Sequence, residues 1–276
     1  QEKRTDEIGI LGRNLNELSG SLSAALTELQ AANAALQADI DREREMERQR
    51  AAFFSAASHE LKTPITVLKG QLSGMLAGVD IYQDRDKYLA RSLAVTGRME
   101  KLVQEMLTIS RMGLSGNSFT RAAVDFSKLV RSQLTQAEDL AIQREQTMNA
   151  DISGWLTVNG SEMLLERAVA NLLINALTYS PPGSSISVRL YEAVEGTSLS
   201  IENSGAHIPA EALPHLFEAF YRVESSRNRD TGGSGLGLYL TRMILDRHAA
   251  TCTIENTEYG VRATAMFHPS KEAPAG

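Results

Sequence analysis

The amino-acid sequence predicts a multidomain fold, in which an N-terminal α-helical coiled coil leads into a dimeric four-helix bundle and then an α+β sandwich. Three observations carry this expectation. Apolar residues recur at steps of seven from Ile8 to Leu36. A second helical pattern, broken once near Gly78, then occupies the stretch up to residue 112. Beyond a Gly- and Ser-rich segment, helix and strand patterns alternate to residue 267. A chain of 276 residues with 42% hydrophobic content is long enough for more than one core.

In the coil, Ile8, Leu15, Leu22, Leu29 and Leu36 form one seven-step row and Leu11, Leu18, Ala25 and Ala32 the interleaved one. That is the seam of a parallel coiled coil, and it predicts a homodimer. After Leu36 the seam slips to Ile40, and residues 41–50 are a mixed-charge run with Met46 as the one apolar residue. Such a run is a solvated helical face or, more sharply, a weak joint between the coil and the helix that carries His59. Residues 1–50 are therefore assigned to the coil.

Residues 51–112 are assigned to a helical hairpin. Gly78 to Asp84 reads as its connection, because apolar spacing resumes at Tyr88, Leu89, Leu93, Met99, Leu102, Val103, Met106, Leu107 and Ile109. Two antiparallel helices from each of two chains make a four-helix bundle. Residues 113–118 read as a flexible linker by composition and 119–270 as the sandwich, with a disordered tail at 271–276. Within the sandwich, helices are expected at Ser127 to Ala141, at Met163 to Thr178 with Ser161 as cap, and at Leu236 to His248. Extended segments are expected at Trp155 to Val158, Ile186 to Tyr191, Ser198 to Glu202, Thr251 to Ile254 and Arg262 to Phe267.

A net charge of -6 gives no reason to expect nucleic acid as a partner. Cys252 is the one cysteine, so no disulfide framework forms, and its apolar alternating surroundings favour a buried thiol over a nucleophile. No apolar run approaches the roughly 18 residues needed to cross a bilayer, and no signal peptide opens the sequence. These features fit a soluble region in a reducing compartment.

The chemistry centres on His59 in Ser58-His59-Glu60-Leu61-Lys62-Thr63-Pro64. On a helix, Phe54, Ala57, Leu61 and Leu68 share a buried face, while His59 and Thr63, one turn apart, share another. Glu60 can accept from one ring nitrogen and leave the other basic enough to attack an electrophile. Pro64 lacks an N–H and is expected to bend or loosen the helix a turn past the histidine. The string resembles the H-box of sensor histidine kinases, in which this histidine accepts the γ-phosphoryl group of ATP. Glu60 and Thr63 also match the family's Glu-x-x-Thr phosphatase motif, which implies that Thr63 positions a water against a phospho-aspartate.

Such an acceptor requires an ATP site further along the chain. Asn171 and Asn175 lie one turn apart, and paired neutral oxygen donors suit a hydrated Mg²⁺ carried in by phosphates. Asn171 to Ser180, with Tyr179, resembles the N-box of the Bergerat (GHKL-type) ATPase fold shared by histidine kinases, Hsp90, gyrase and MutL, which implies that Asn175 is the metal ligand. Gly232 to Leu238 places exposed backbone N–H groups at the start of a helix, an anion-binding arrangement. This run resembles the G2-box and assigns Gly233, Gly235, Leu236 and Gly237 to the nucleotide. Phe217 to Arg222 resembles the F-box, with Phe220 and Arg222 beside the nucleotide, and Val223 to Thr231, with Arg227 and Arg229, becomes the lid. Asn203-Ser204-Gly205-Ala206-His207 stands where the G1-box usually reads Asp-x-Gly-x-Gly, so Asn203 replaces the adenine-reading acid. Thr178 stands where a basic residue often follows the N-box. His207, His215, His248 and His268 form no metal-like cluster and read as structural.

The order of these boxes implies the cytoplasmic region of a sensor histidine kinase of a two-component system. It would act as a homodimer that uses ATP and Mg²⁺ to phosphorylate His59 and passes the phosphoryl group to an aspartate of a cognate response regulator, with regulator phosphatase activity besides. The opening residues resemble the second helix of a HAMP domain, which implies a first HAMP helix and a plasma-membrane anchor upstream of residue 1. Lys69 to Leu72, Asn203 to Gly205 and His207 to Pro209 resemble kinases of the vancomycin-resistance sensor type. Thr178 and Asn203 keep a second class open, a catalytically weak signalling adaptor that acts through dimer conformation and regulator docking. A chaperone-like or mismatch-repair ATPase would have no use for the H-box string. An amide that turns either edge to the base is expected to separate ATP from GTP less sharply than a carboxylate does.

Overall fold

The computed structural model describes residues 7–114, 121–223 and 233–268. The expected linker from Ser115 onward, the lid from Glu224 with Arg227 and Arg229, Gly232, and the tail 271–276 lie outside the described residues. The chain divides into two compact units, Gln1–Ala56 and Ala57–Gly276.

The first helix, α1 (Glu7–Leu76), is continuous through the mixed-charge run and through Pro64. In the first unit, Leu11, Leu15, Leu18, Leu22, Leu29 and Leu36 are all more than half exposed in the single chain. A seven-step apolar row left in water is the surface that a second helix covers.

Pro64, expected to bend or loosen the helix, lies inside α1 without ending it. The carbonyl that loses its N–H partner is that of Glu60, an exposed residue, so water can serve it. A short turn with a 3₁₀ segment, Asp80–Tyr82, connects to α2 (Arg85–Leu114). Ala57 and Met75 on α1 and Val95, Leu102 and Ile109 on α2 are buried, whereas Phe54, expected on the buried face, is 52% exposed. Ser92 Oγ donates to Gln71 Oε1 at 2.9 Å, tying the two helices together. Ile65, Leu72, Leu76, Leu89 and Leu93 remain exposed in the single chain.

The sandwich contains β1 (Ala122–Asp125), α3 (Phe126–Gln143), β2 (Thr147–Ile152), β3 (Thr157–Gly160), α4 (Glu162–Thr178), β4 (Ser185–Ala193), β5 (Gly196–Ser204), α5 (Gly237–Arg247), β6 (Ala250–Asn256) and β7 (Gly260–Phe267). The main sheet runs β2-β4-β5-β7-β6, parallel only between β2 and β4, and β1 pairs with β3 in a separate ribbon. Strands β1 and β2 were not expected from the sequence. Period-two burial puts Ile186, Val188 and Leu190 of β4 and Leu199 and Ile201 of β5 on the inner face. They pack against Leu165, Val169, Leu172, Leu173, Ala176 and Leu177 of α4. The helices cover one face of the sheet, an α+β sandwich as expected. Burial pushes the Cys252 thiol up to about 12, in keeping with an inert position.

The start of α4 is built differently from expectation. Ser161 occupies the N-cap position, but its side chain makes no capping bond. Its backbone N–H donates to His248 Nε2 at 3.0 Å, while His248 Nδ1 donates to Ile244 O at 2.7 Å. The buried ring therefore works as the neutral tautomer, and a Cβ on Gly160 would collide with it. Burial lowers the affinity of His248 for a proton below its ordinary value, outweighing the Ile244 hydrogen bond. The native state then binds fewer protons than the unfolded chain, so this contribution is complete above about pH 6.5 and falls as the pH drops through that value.

His248→Ala should therefore destabilise the sandwich by about 1–3 kcal/mol at pH 7.5, because the Ser161 N–H is left unsatisfied. It should also flatten the loss of stability between roughly pH 6.5 and 5. Urea unfolding of parent and variant at both pH values measures the two effects.

Candidate functional site

The helix α4 sets the site's position. Its apolar positions at threes and fours face the sheet, which leaves Asn171, Asn175 and Thr178 half-buried along the edge. A cavity of about 550 Å³ opens beside that edge, with Leu172, Ala176, Ile201, Val261 and Ala263 among its apolar walls and Asn203 among its polar ones. Such a cavity has the size and character that a planar heterocycle with polar substituents requires. Asn203 is 5% exposed, and its Nδ2 donates to Ser180 Oγ at 2.8 Å, while Ser180 Oγ donates to Ala176 O.

A second cavity of about 120 Å³ adjoins the first, sharing Asn175, Thr178, Tyr179, Tyr221, Arg222 and Leu238. Its remaining wall includes Asn171, Gly233, Ser234, Gly235 and Gly237, at the N-terminus of α5. A glycine-rich approach to a helix N-terminus favours anions, so this is the end suited to phosphate. Gly235 has φ +73°, and a Cβ there would lie 2.7 Å from Phe220 Cα. Phe220 is itself at φ +66° and donates its N–H to Gly235 O at 2.9 Å. Two backbone segments thus meet with no room for a side chain between them.

The expected nucleotide residues divide by role. Asn175, Tyr179, Asn203, Gly205, Arg222, Gly233, Gly235 and Gly237 line one or both cavities. Asn171 lines the smaller one, but its Nδ2 donates to Gly237 O at 3.2 Å, so it also ties α4 to α5. Asn175 makes no side-chain hydrogen bond among the described residues and stands where the two cavities join, an oxygen donor available to a cation held by phosphates. Leu236 and Phe220 line neither cavity. Leu236 is fully buried, with its N–H donated to Ser234 Oγ at 3.1 Å.

His59 also lines neither cavity. Its side chain is 80% exposed on α1, with Nδ1 at 3.7 Å from Glu60 Oε1. That is ion-pair range and longer than a hydrogen bond. Thr63 Oγ1, one turn on, donates to His59 O at 3.4 Å. Among the four other histidines, His248 is structural, whereas His207 is exposed and lines the larger cavity. No metal-like cluster of His, Cys, Asp or Glu occurs among the described residues.

Residues 160–273 match the family of histidine kinase-, DNA gyrase B- and HSP90-like ATPases, and residues 49–114 match the His Kinase A phospho-acceptor domain. The two matches fall in the order that places His59 in an acceptor domain ahead of the cavities. The chain belongs to the histidine kinase family.

Among these kinases, the sensor protein VanSB of Enterococcus faecalis is 32% identical over 259 residues, which are 94% of this chain and 56% of the relative. The phosphate regulon sensor protein PhoR of Pseudomonas aeruginosa is 32% identical over 239 residues, 86% of this chain and 54% of the relative. The chain thus spans about half the length of these curated relatives. The fold is shared with the Acinetobacter baumannii histidine kinase AdeS, at TM-score 0.65 and 24% identity over 77% of this chain and 98% of that one. It is shared too with the histidine kinase ThkA in its complex with the response regulator TrrA, at TM-score 0.62 and 23% identity over 78% of this chain and 61% of that one.

Sequence patterns did not reveal the contribution of α2. Glu105, 3% exposed, accepts from Ser234 Oγ at 2.5 Å, and both Glu105 and Lys101 line the phosphate-end cavity. Arg167 Nη1 donates to Thr108 Oγ1 at 2.9 Å, and Arg247 donates to Met112 O. Ser234 lies in the glycine-rich run, but Lys101, Glu105, Thr108, Met112, Arg167 and Arg247 belong to no motif singled out in the sequence. Ser180 lay inside the N-box string, and its role was open to inspection only through the hydroxyl it places near a strand end.

Gly235→Ala should weaken ATP binding and lower stability, because the left-handed backbone costs an alanine about 1–2 kcal/mol and its Cβ meets rigid backbone at Phe220. Nucleotide titration together with urea unfolding checks both; an unchanged affinity would show that this approach does not shape the phosphate end.

Proposed function

We propose that this chain is the cytoplasmic kinase region of a membrane-anchored sensor histidine kinase. On this reading it binds ATP with Mg²⁺, phosphorylates His59 as a homodimer and passes the phosphoryl group to an aspartate of a cognate response regulator. The observation that carries the reading is the succession of a phospho-acceptor match containing His59 and an ATPase match containing both cavities. The apolar seam of the coil and the exposed apolar residues of the hairpin support the dimer. No helix among the described residues is long and apolar enough to cross a membrane; what supports the anchor is the resemblance of the opening residues to the second helix of a HAMP domain. The ThkA structure, a kinase of the same fold described in complex with a response regulator, supports the partner class. The VanSB match supports the vancomycin-resistance sensor subgroup.

In the transfer, the lone pair of one His59 nitrogen forms a bond to the γ-phosphorus as the bond to the ADP oxygen breaks, and ADP leaves with that electron pair. The ring becomes positively charged, and the proton on the other nitrogen goes to a base. Glu60 lies on the Nδ1 side, which supports proton loss from Nδ1 and attack by Nε2. Asn175 would hold Mg²⁺, which neutralises phosphate charge in the transition state. The remaining catalysis is positioning by the glycine-rich approach and the α5 N-terminus. The paired domain matches favour this reading over the adaptor, whose basis was Thr178 and Asn203.

His59→Gln should abolish autophosphorylation while ATP binding persists, measured by labelled-ATP incorporation beside nucleotide titration; undiminished labelling would remove His59 as acceptor. Thr63 Oγ1 is exposed on the His59 face, where it would orient a water on a docked phospho-aspartate. Thr63→Ala should slow regulator dephosphorylation and spare autophosphorylation. Equal dephosphorylation rates for the two proteins would count against that role.

A further inference from the structure

The orientation of Asn203 is set by a relay that ends on the α4 backbone. Ser180, just past the C-terminus of α4, is 7% exposed, and its Oγ donates to Ala176 O one turn earlier. A hydroxyl has one hydrogen, so with that hydrogen on Ala176 the Ser180 oxygen can only accept at its other positions. It accepts from Asn203 Nδ2 at 2.8 Å. Turning the amide over would bring Oδ1 against an oxygen with no hydrogen to offer, in a site where both residues are buried. Among the described residues, Asn203 Oδ1 accepts no hydrogen bond, and the residue lines the larger cavity.

We infer that Ser180 is a specificity-positioning residue that locks Asn203 with its oxygen presented to the base, so that the amide reads an exocyclic amine and rejects a carbonyl at the same place. The inference deepens the ATP-site reading and rests on it. It reverses the expectation that an amide here discriminates poorly. A free amide can exchange its acceptor and donor ends, and so can match either the amine edge of adenine or the carbonyl edge of guanine. The lock removes the second arrangement. A carboxylate at position 203 would present an acceptor in either orientation, with Ser180 Oγ turning its hydrogen toward it. Asn203 held by Ser180 and an Asp at the same position thus show the base the same face.

The logic makes Ser180 matter only when residue 203 is an amide, which a general structural role for Ser180 would not do. The test is the ratio of GTP to ATP dissociation constants, measured by equilibrium titration of Mg-nucleotides into the whole chain. The parent should prefer ATP by about tenfold or more, the cost of leaving buried polar groups mismatched. Ser180→Ala should lose most of that preference by gaining GTP affinity, and Ser180→Thr, which keeps the hydroxyl, should retain it. Asn203→Asp should retain it too, and adding Ser180→Ala to Asn203→Asp should change the ratio by less than about twofold, since an acceptor-only group has no donor end to turn.

An unchanged ratio in Ser180→Ala, with ATP still bound, overturns the lock and leaves the ATP site standing. An equal fall of the ratio in the Asn203→Asp background also overturns it, because Ser180 would then act on the base or the fold without the amide. If the parent chain binds neither nucleotide, the ATP-site reading fails and the lock fails with it.

Discussion

Burial of one side of α4 is the constraint on which the nucleotide site depends. Eight residues of the helix, from Leu164 to Leu177, are withdrawn from water, and the sheet face beneath them is lined by β4 and β5. At about 25 cal/mol per Å², burial on this scale is the main stabilising term of such a layer, and it fixes the helix's rotation. The rotation decides which polar side chains reach the edge. Asn171 meets the first turn of α5, Asn175 stands at the junction of the two cavities, and Ser180 turns back onto Ala176 O to meet Asn203 on β5. A one-residue slip of this pattern would carry all of them away from the cavity.

The same economy governs the contact with α2. Glu105 holds Ser234, Ser234 receives the Leu236 N–H, and Gly235 between them presses on Phe220. The phosphate end is therefore shaped partly by the dimerisation hairpin. His59 lines neither cavity. On the proposed function, transfer to it would require the nucleotide to be brought to the histidine, by movement within one chain or from the partner in a dimer. Movement within one chain would break the hydrogen bonds from Ser234, Arg167 and Arg247 to α2. These bonds are polar, as contacts between domains that move relative to one another commonly are.

Much of this was legible in the sequence because periodicity reports burial directly. The seven-step seam, the α4 stripe and the alternation in β4 and β5 each correspond to an observed element, as does the short turn between α1 and α2. Strand β2 escaped notice because its alternating Met148, Ala150 and Ile152 are separated by Asn149 and Asp151, residues poor in strands, and its pairing with β4 is parallel and non-local. Ser161 looked like a side-chain cap, but its side chain makes no capping bond and its N–H donates instead to the ring of His248, distant in sequence. The G1 departure at Asn203 was visible, whereas its consequence depended on a hydroxyl whose single hydrogen is already engaged. The contact of Glu105 with Ser234 joins residues 129 apart, and although Ser234 lies in the glycine-rich run, no local pattern marks Glu105 as its partner.

The central claim is that the cavities beside α4 serve phosphoryl transfer to a histidine, and the chemical stability of the product tests it most directly. The whole chain would be incubated with γ-labelled ATP and Mg²⁺, and the labelled protein held in dilute acid and in dilute alkali. A phosphoryl group on imidazole nitrogen is lost in acid, where the ring is protonated and leaves readily, and survives in alkali. The account predicts that behaviour, with the label on a peptide containing His59. Label that survives acid, as a serine or threonine ester would, or that maps to a peptide without His59, would contradict it.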